Sequence, residues 1–317
     1  MSMEEDTMKT LSIIVPCYNE EENIRYFYDE LMKTEVFFRE NQVELDINYI
    51  DDGSCDRTVE NIQRLHEEDG RVHMCSFSRN FGKEAAIFAG LKKAKGDFVV
   101  IMDCDLQDPP SLLPEMYSVM VNEKMDSVAT RRVTRKGEPA IRSFFARMFY
   151  KLINKMSKTE IVDGARDFRM MTRRFADSVI SLSEYNRFSK GIFSWVGYDT
   201  RWLEYENIER AKGETKWSFW KLFLYAIDGI IAFSTIPLAF ASVVGMLFCV
   251  IALIFIVVII VRKALFGDPT SGWPSLVCII LLVSGVQTFC LGIVGQYLSK
   301  TYLEVKKRPL YISKEDF

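Results

Sequence analysis

The stretch that most restricts how this chain can fold lies in its last third. From Gly229 to Ser299 only Arg262, Lys263 and Asp268 are charged, which leaves uncharged runs of 33 and 31 residues on either side of them. A hydrocarbon core about 30 Å thick is crossed by about 20 helical residues, and the core helix of a soluble protein seldom runs so far without a charge. The pattern predicts two membrane spans, at about 234–261 and 274–298, with two buried core helices as the alternative. Two spans form a hairpin and return the chain to the side it left. Lys300, Lys306, Lys307 and Arg308 then lie beside the same face as the front domain, in keeping with the positive-inside rule, although Arg262 and Lys263 in the connection oppose it. The chain is thus divided into a front domain, 1–228, a membrane hairpin, 229–299, and a basic tail, 300–317. The opening Met-Ser-Met-Glu-Glu-Asp lacks the order of a secretory signal, so the front domain and the tail are expected on the cytosolic side of the cell membrane.

Charge narrows the function classes. Residues 1–228 carry 33 basic and 39 acidic side chains, and residues 229–317 carry 7 and 4. That balance argues against a dedicated nucleic-acid-binding protein. Seven cysteines, at 17, 55, 75, 104, 249, 278 and 290, show no Cys-x-x-Cys spacing and read as reduced structural thiols.

Over the first 130 residues short apolar runs alternate with helical patterns, as in a doubly wound α/β sheet. Strands are expected at Leu11 to Val15, Leu45 to Ile50, Val72 to Phe77, Phe98 to Met102 and Ser127 to Thr130. Asn19 followed by Glu22 reads as a capping box for the first helix. In such sheets ligands sit beyond the carboxyl ends of the strands. There the sequence places Pro16, Tyr18, Asn19 and Glu20, then Asp51 and Asp52, then Ser78 to Lys83, then Asp103, Asp105 and Gln107. No Gly-x-Gly-x-x-Gly and no Gly-x-x-x-x-Gly-Lys-Ser/Thr is present, so a phosphorylated ligand needs another source of positive charge. Asp103-Cys104-Asp105, two carboxylates at a strand end, can share a Mg2+ or Mn2+ ion that bridges a pyrophosphate. A solvated turn is the plainer reading of that triplet. Asp51-Asp52-Gly53-Ser54 is read equally as a turn with a helix cap or as a receptor for base and ribose groups.

From Arg131 to Lys158 there are nine basic residues and one acidic, interleaved with apolar residues at helical spacing. A helix at about 140–157 with one basic and one apolar face suits an anionic membrane surface, and a second aromatic-rich helix at about 216–228 leads into the first span. Asp167 is a candidate base, with a simple ion pair to Arg166 or Arg169 as the alternative.

Taken together, Ser12-Ile-Ile-Val-Pro-Cys-Tyr-Asn-Glu20, Asp51-Asp-Gly-Ser54, Ser78-Arg-Asn-Phe-Gly-Lys-Glu-Ala85, Asp103-Cys-Asp-Leu-Gln-Asp-Pro-Pro110, Asp167-Phe-Arg169, Asn186-Arg-Phe-Ser-Lys-Gly191, Lys212-Gly-Glu-Thr-Lys-Trp217 and Gly295-Gln-Tyr-Leu298 resemble the family-2 glycosyltransferases of GT-A fold. The likeness is to the polyisoprenyl-phosphate branch, which contains dolichol-phosphate mannose synthases and bactoprenol glucosyltransferases. It implies inverting transfer of one sugar from a nucleotide donor, a UDP-sugar such as UDP-glucose or a UDP-N-acetylhexosamine, to undecaprenyl phosphate. By match, Pro16, Tyr18, Asn19, Glu20, Asp51, Asp52, Lys83, Asp103, Cys104 and Asp105 would hold the nucleotide sugar, and Asp103, Asp105 and Gln107 the metal. Asp167 and Asp105 would be the catalytic carboxylates, and Arg131, Arg132, Arg169, Lys190, Arg210 and Lys216 would meet the acceptor phosphate. Arg166 stands where the family often has Gly. A processive polysaccharide synthase is the alternative enzyme, but its Gln-x-x-Arg-Trp segment is not found. A catalytically silent scaffold or flippase is the alternative outside enzymes. A homo-oligomer is compatible with this reading.

Overall fold

The computed structural model describes residues 8–132, 162, 164–205, 231, 234–266 and 272–317. The two expected interfacial helices, with Arg210 and Lys216, lie outside the described residues.

The front domain is a three-layer α/β/α arrangement. Its elements run β1 (Lys9–Cys17), α1 (Ile24–Met32), α2 (Glu35–Glu40), β2 (Val43–Asp51), α3 (Thr58–Glu68), β3 (Val72–Phe77), α4 (Lys83–Lys93), β4 (Phe98–Ile101), α5 (Leu113–Asn122), β5 (Ser127–Arg132), β6 (Ala165–Thr172), α6 (Arg173–Ser181), α7 (Ser189–Trp195) and β7 (Thr200–Tyr205). Alternate residues of each strand feed two cores. Leu11, Ile13, Val15, Ile47, Tyr49, Val100 and Phe168 pack with Phe27, Leu31, Ile62 and Met116 on one face. Ile14, Ile50, Val99, Ile101 and Met171 pack with Ala86, Ile87, Phe175 and Ile192 on the other. Burial on both faces explains why the middle of β1 and the whole of β4 read as continuous apolar runs. Helix α4 lies close on β1: a Cβ at Gly90 would stand 2.2 Å from Cγ2 of Ile14.

The expected strands all form, but the sheet is mixed. Its order is β7-β5-β6-β4-β1-β2-β3-β8, β8 being Ser313–Asp316 near the end of the chain. Strands β3, β2, β1 and β4 are mutually parallel, while β6 is inserted antiparallel between β4 and β5. Sequence order changes direction at β1, which is flanked by β2 and β4, and a crevice opens at such a switch. Because β6 runs backwards, its amino end meets the carboxyl ends of β1, β2, β4, β5 and β7 at one edge of the sheet.

Helices α8 (Ile236–Phe266) and α9 (Trp273–Lys306) follow, both long and apolar enough to cross a membrane. Tyr297 donates its hydroxyl to the Ser234 carbonyl, and Cys290 its thiol to the Ala241 carbonyl, which are pairings of an antiparallel couple. Their outward faces are apolar and open, with Val243, Met246, Leu253, Leu282, Phe289 and Leu291 all more than half exposed. A water-soluble monomer rarely shows so large an apolar patch. The residues after 300 are more than the expected basic tail. Helix α9 continues to Lys306, and β8 (Ser313–Asp316) then pairs antiparallel with β3 of the front domain. Tyr311 stacks on Phe77 with ring centroids 4.8 Å apart, and Lys93 is ion-paired with Asp316.

Candidate active site

Two loops at the carboxyl edge are tied together by side chains that accept main-chain hydrogen bonds. Asn19 takes a left-handed conformation, φ 53°. Its N–H donates to Ser54 Oγ at 2.8 Å, and its Oδ1 accepts from Cys55 N at 2.9 Å. The expected capping box is therefore corrected: α1 has Asn23 at its N-cap, and Asn19 fastens the β1 loop to the β2 loop. Glu20 N donates to Thr58 Oγ1, and Glu21 Oε2 accepts from Arg57 N.

Asp51 is fully buried and accepts from Ser54 N and from Ser76 Oγ at 2.7 Å. Asp52, also buried, accepts from Phe81 N at 2.6 Å and from Gly82 N at 2.9 Å. Burial pushes the Asp52 carboxyl up to about 6, against the pull of those two N–H groups. Gly53 has φ +73°, and a Cβ there would lie 2.5 Å from the Arg79 carbonyl carbon. Only glycine fits this turn. Of the first reading of Asp51-Asp52-Gly53-Ser54 the turn is present, but the helix cap is corrected: α3 begins at Thr58 with Arg57 at its N-cap. Tyr18 stands exposed at the rim, and Pro16 is buried within β1.

The second group comes from β4, β6 and the start of α4. The register that sets Ile101 opposite Arg169, extended by two residues, sets Asp103 level with Asp167. Lys83 Nζ lies between them, 2.7 Å from Asp103 Oδ1 and 2.7 Å from Asp167 Oδ2. Burial opposes the charge on Lys83, but the carboxylates of Asp103 and Asp167 outweigh it and raise the ammonium well above its ordinary range. Burial likewise works against the Asp167 charge, yet Lys83, Lys190 and Arg166 together hold that carboxyl far below the usual range. Lys190, the second residue of α7, is thus close enough for its charge to be felt at Asp167.

Between Asp103 and Asp108 the chain folds back through Leu106, whose φ is 56°. A bulky residue in the left-handed region is uncommon and marks a constrained turn. The buried Asp105 accepts from Gln107 N at 3.2 Å. Arg166 holds the turn from β6: its Nε is 3.0 Å from Asp108 Oδ1 and its Nη2 3.2 Å from Gln107 Oε1. Tyr205, ending β7, donates its hydroxyl to the same Asp108 oxygen. Arg166 is thus a strut between the acidic turn and the strand that carries Asp167. Asp108 and Tyr205 were not among the expected site residues. The signal for Asp108 was its place in the acidic run before Pro109-Pro110, and Tyr205 had none.

Two expected site side chains face elsewhere. Cys104 is buried with Cys17 and Met102 in the core, and that burial raises its thiol, so its side chain does not line the cleft. The Arg169 guanidinium lies 4.8 Å from the Phe193 ring and 5.4 Å from that of Trp202, donates to Ser127 Oγ and is 3% exposed. Burial pulls it down to about 9. This corrects the expectation that Arg169 meets an acceptor phosphate: a group enclosed by rings cannot reach one. Arg131 is ion-paired with Glu204 across β5 and β7, and Arg132 ends β5.

Asp103 and Asp105 offer hard oxygen ligands of the type Mg2+ and Mn2+ prefer. Among the described residues no cluster of three His, Cys, Asp or Glu side chains forms a complete metal shell. A metal here would take its remaining ligands from Gln107, water or a bound diphosphate.

Residues 12–180 match the model of the family described as glycosyl transferase family 2. The prophage bactoprenol glucosyl transferase homolog of Escherichia coli is 40% identical over 304 residues, covering 96% of this chain and 98% of that protein. The SfII prophage-derived bactoprenol glucosyl transferase of Shigella flexneri is 40% identical over 306 residues, covering 96% and 97%. Among solved structures, glucosyl-3-phosphoglycerate synthase of Mycobacterium tuberculosis, in complex with Mn2+, UDP-glucose and phosphoglyceric acid, superposes with a TM-score of 0.47 at 18% identity, over 70% of this chain and 78% of that one. With a family match over more than half its length and relatives at 40% identity over nearly all of it, this chain belongs to glycosyl transferase family 2 and is a glycosyltransferase.

Proposed function

We propose that the protein moves one sugar from a nucleotide sugar, a UDP-hexose in our reading, to undecaprenyl phosphate at the cytosolic face of the cell membrane. The observation that carries this reading is the level pairing of Asp103 with Asp167 across β4 and β6, at the sheet edge where the strand order switches. The donor diphosphate would sit against Asp103, Asp105 and Gln107, and the nucleoside would run over the β1 and β2 loops past Tyr18, Asn19, Glu20 and the Asp51-Asp52 turn. A Mg2+ or Mn2+ ion on Asp103 and Asp105 would supply positive charge for the departing nucleoside diphosphate.

The remaining chemistry belongs to the chain itself. A phosphate monoester, with a second pKa of about 6, is already an anion near neutral pH. Asp167, held ionised by Lys83, Lys190 and Arg166, need not remove a proton. It faces the carbon under attack as a fixed negative charge and favours the cationic character that develops there. An acceptor oxygen bonds to the anomeric carbon from one face while the bond to the diphosphate breaks on the other, which inverts the centre. Lys190, together with Arg131, Arg132, Arg210 and Lys216, would hold the acceptor phosphate in line.

Helices α8 and α9 would carry the lipid acceptor to this edge as a membrane hairpin. Strands β1 to β7 precede the two helices and β8 follows them, yet all eight share one sheet. If the helices span the bilayer, the number of crossings is therefore even. The direct test is transfer of radiolabelled sugar by the purified full chain to undecaprenyl phosphate, from a panel of UDP- and GDP-sugars, with Mn2+ or Mg2+ and with EDTA. Label in the organic phase from one donor, lost with EDTA, is the expected result. No lipid-linked product from any donor would refute the reading.

A further inference from the structure

Lys83 occupies a position that helix physics disfavours. It is the first residue of α4, where the unpaired N–H groups and the helix dipole favour a negative side chain. Its ammonium is nevertheless directed onto two carboxylates from two different strands, at 2.7 Å each, and the side chain is 39% exposed at the open side of the cleft. Asp103 is a proposed metal ligand, and Asp167 is the carboxylate proposed to face the sugar. A local rule broken at such a point indicates a functional reason.

We propose that Lys83 is a tethered counter-cation: it fills the charge vacancy at Asp103 when no donor is bound and is displaced toward the donor diphosphate when the metal arrives. The inference rests on the metal reading given above and adds what this chain does in the donor's absence. Without a cation, Asp103 and Asp167 would face each other as like charges within one ammonium's reach. Lys83 removes that repulsion and also competes with a divalent ion for Asp103. A free metal is therefore held weakly, whereas a metal entering with a diphosphate brings the anion that receives the displaced ammonium. Metal and nucleotide binding become coupled, each raising the affinity of the other. Lys83 is a positioning residue in this scheme, and its effect on metal affinity is separable from its effect on turnover.

The test measures Mn2+ binding to the purified full chain by electron paramagnetic resonance, without and with UDP, for wild type, K83Q and K83R. Removing a unit positive charge adjacent to a divalent ion at a partly exposed site is expected to tighten Mn2+ binding without UDP by about tenfold or more in K83Q. K83R, which keeps the charge, is expected to stay near the wild-type value. The gain in Mn2+ affinity on adding UDP is expected to be larger in wild type than in K83Q. Equal or weaker Mn2+ binding by K83Q without UDP overturns the inference and leaves the metal reading standing. No Mn2+ binding by any of the three proteins, with or without UDP, overturns the metal reading and this inference with it. Melting provides a second readout if K83Q is poorly folded without metal: saturating Mn2+ should raise its Tm by more than it raises that of wild type, and an equal or smaller rise overturns the inference.

Discussion

The two halves of the sheet edge neutralise their acidic residues in opposite ways. On the β1–β2–β3 side, Asp51, Asp52 and Glu21 accept from backbone N–H groups of the loops and from the Ser76 hydroxyl on β3. On the β4–β6 side, Asp103, Asp167 and Asp108 face the cations of Lys83 and Arg166. A backbone N–H cannot leave without unfolding its loop, whereas a lysine side chain can move aside. The first half is thus a frame and the second an exchangeable set of charges. Substitutions in the frame should register as stability, and substitutions among the exchangeable charges as turnover.

The largest separation is expected from Asp105→Asn, which should lower transfer by about 10²–10³-fold while leaving the Tm within a few degrees. An equal loss of stability would place Asp105 in the frame. Gly53→Ala should do the reverse. Its φ of +73° and the 2.5 Å approach to the Arg79 backbone make it destabilising by about 3 kcal/mol, seen as a fall in Tm and in UDP affinity together. Unchanged melting would show that the turn tolerates a Cβ.

Next is Asp69, just before β3 at the opposite edge of the sheet from the cleft. Hydrogen bonds from Arg71 hold its carboxyl down to about 2, outweighing burial. Because the folded pKa lies below the unfolded value of about 3.9, the stabilisation is complete above pH 4 and disappears as pH falls toward 2. Asp69→Asn should therefore lose about 2 kcal/mol at pH 7, and its melting curve should meet that of wild type near pH 2. The smallest effect is expected from Ser76→Ala, which removes one of the bonds to Asp51 and should lower stability by about 1 kcal/mol with transfer within twofold.

The frame half was the more legible in sequence. Strands β1 and β4 carry apolar residues on both faces and β2 alternates Val43, Leu45, Ile47 and Tyr49 with polar residues, so these runs are conspicuous, and the acidic residues at their ends follow directly. The exchangeable half was legible in its residues but not in its geometry. Strand β6 carries Arg166, Asp167 and Arg169 within five positions, which hides any alternation. Those charges are buried or half-buried only because Asp108, Lys83 and the rings of Phe193 and Trp202 receive them. The same partners explain why Arg169 was misplaced among the phosphate ligands: nothing local distinguishes an arginine bound for a ring cage from one bound for a phosphate. Asn19 had the spacing of a helix cap, yet its partners are 35 and 36 residues away. Strand β8 is Ser-Lys-Glu-Asp, a polar segment whose place in the sheet depends on β3 alone.

That last strand bears on how the molecule is put together. Residues 313–316 lie beyond both apolar helices in chain order, yet they cover the edge of β3, where Met74 and Phe317 exchange their backbone bonds in both directions. During synthesis the β3 margin of the sheet therefore stays uncovered, of the kind that invites pairing with other chains, until both apolar helices have been made. The sheet is completed by a segment that is made only after both long apolar helices, so closure of the β3 margin is tied in time to their synthesis.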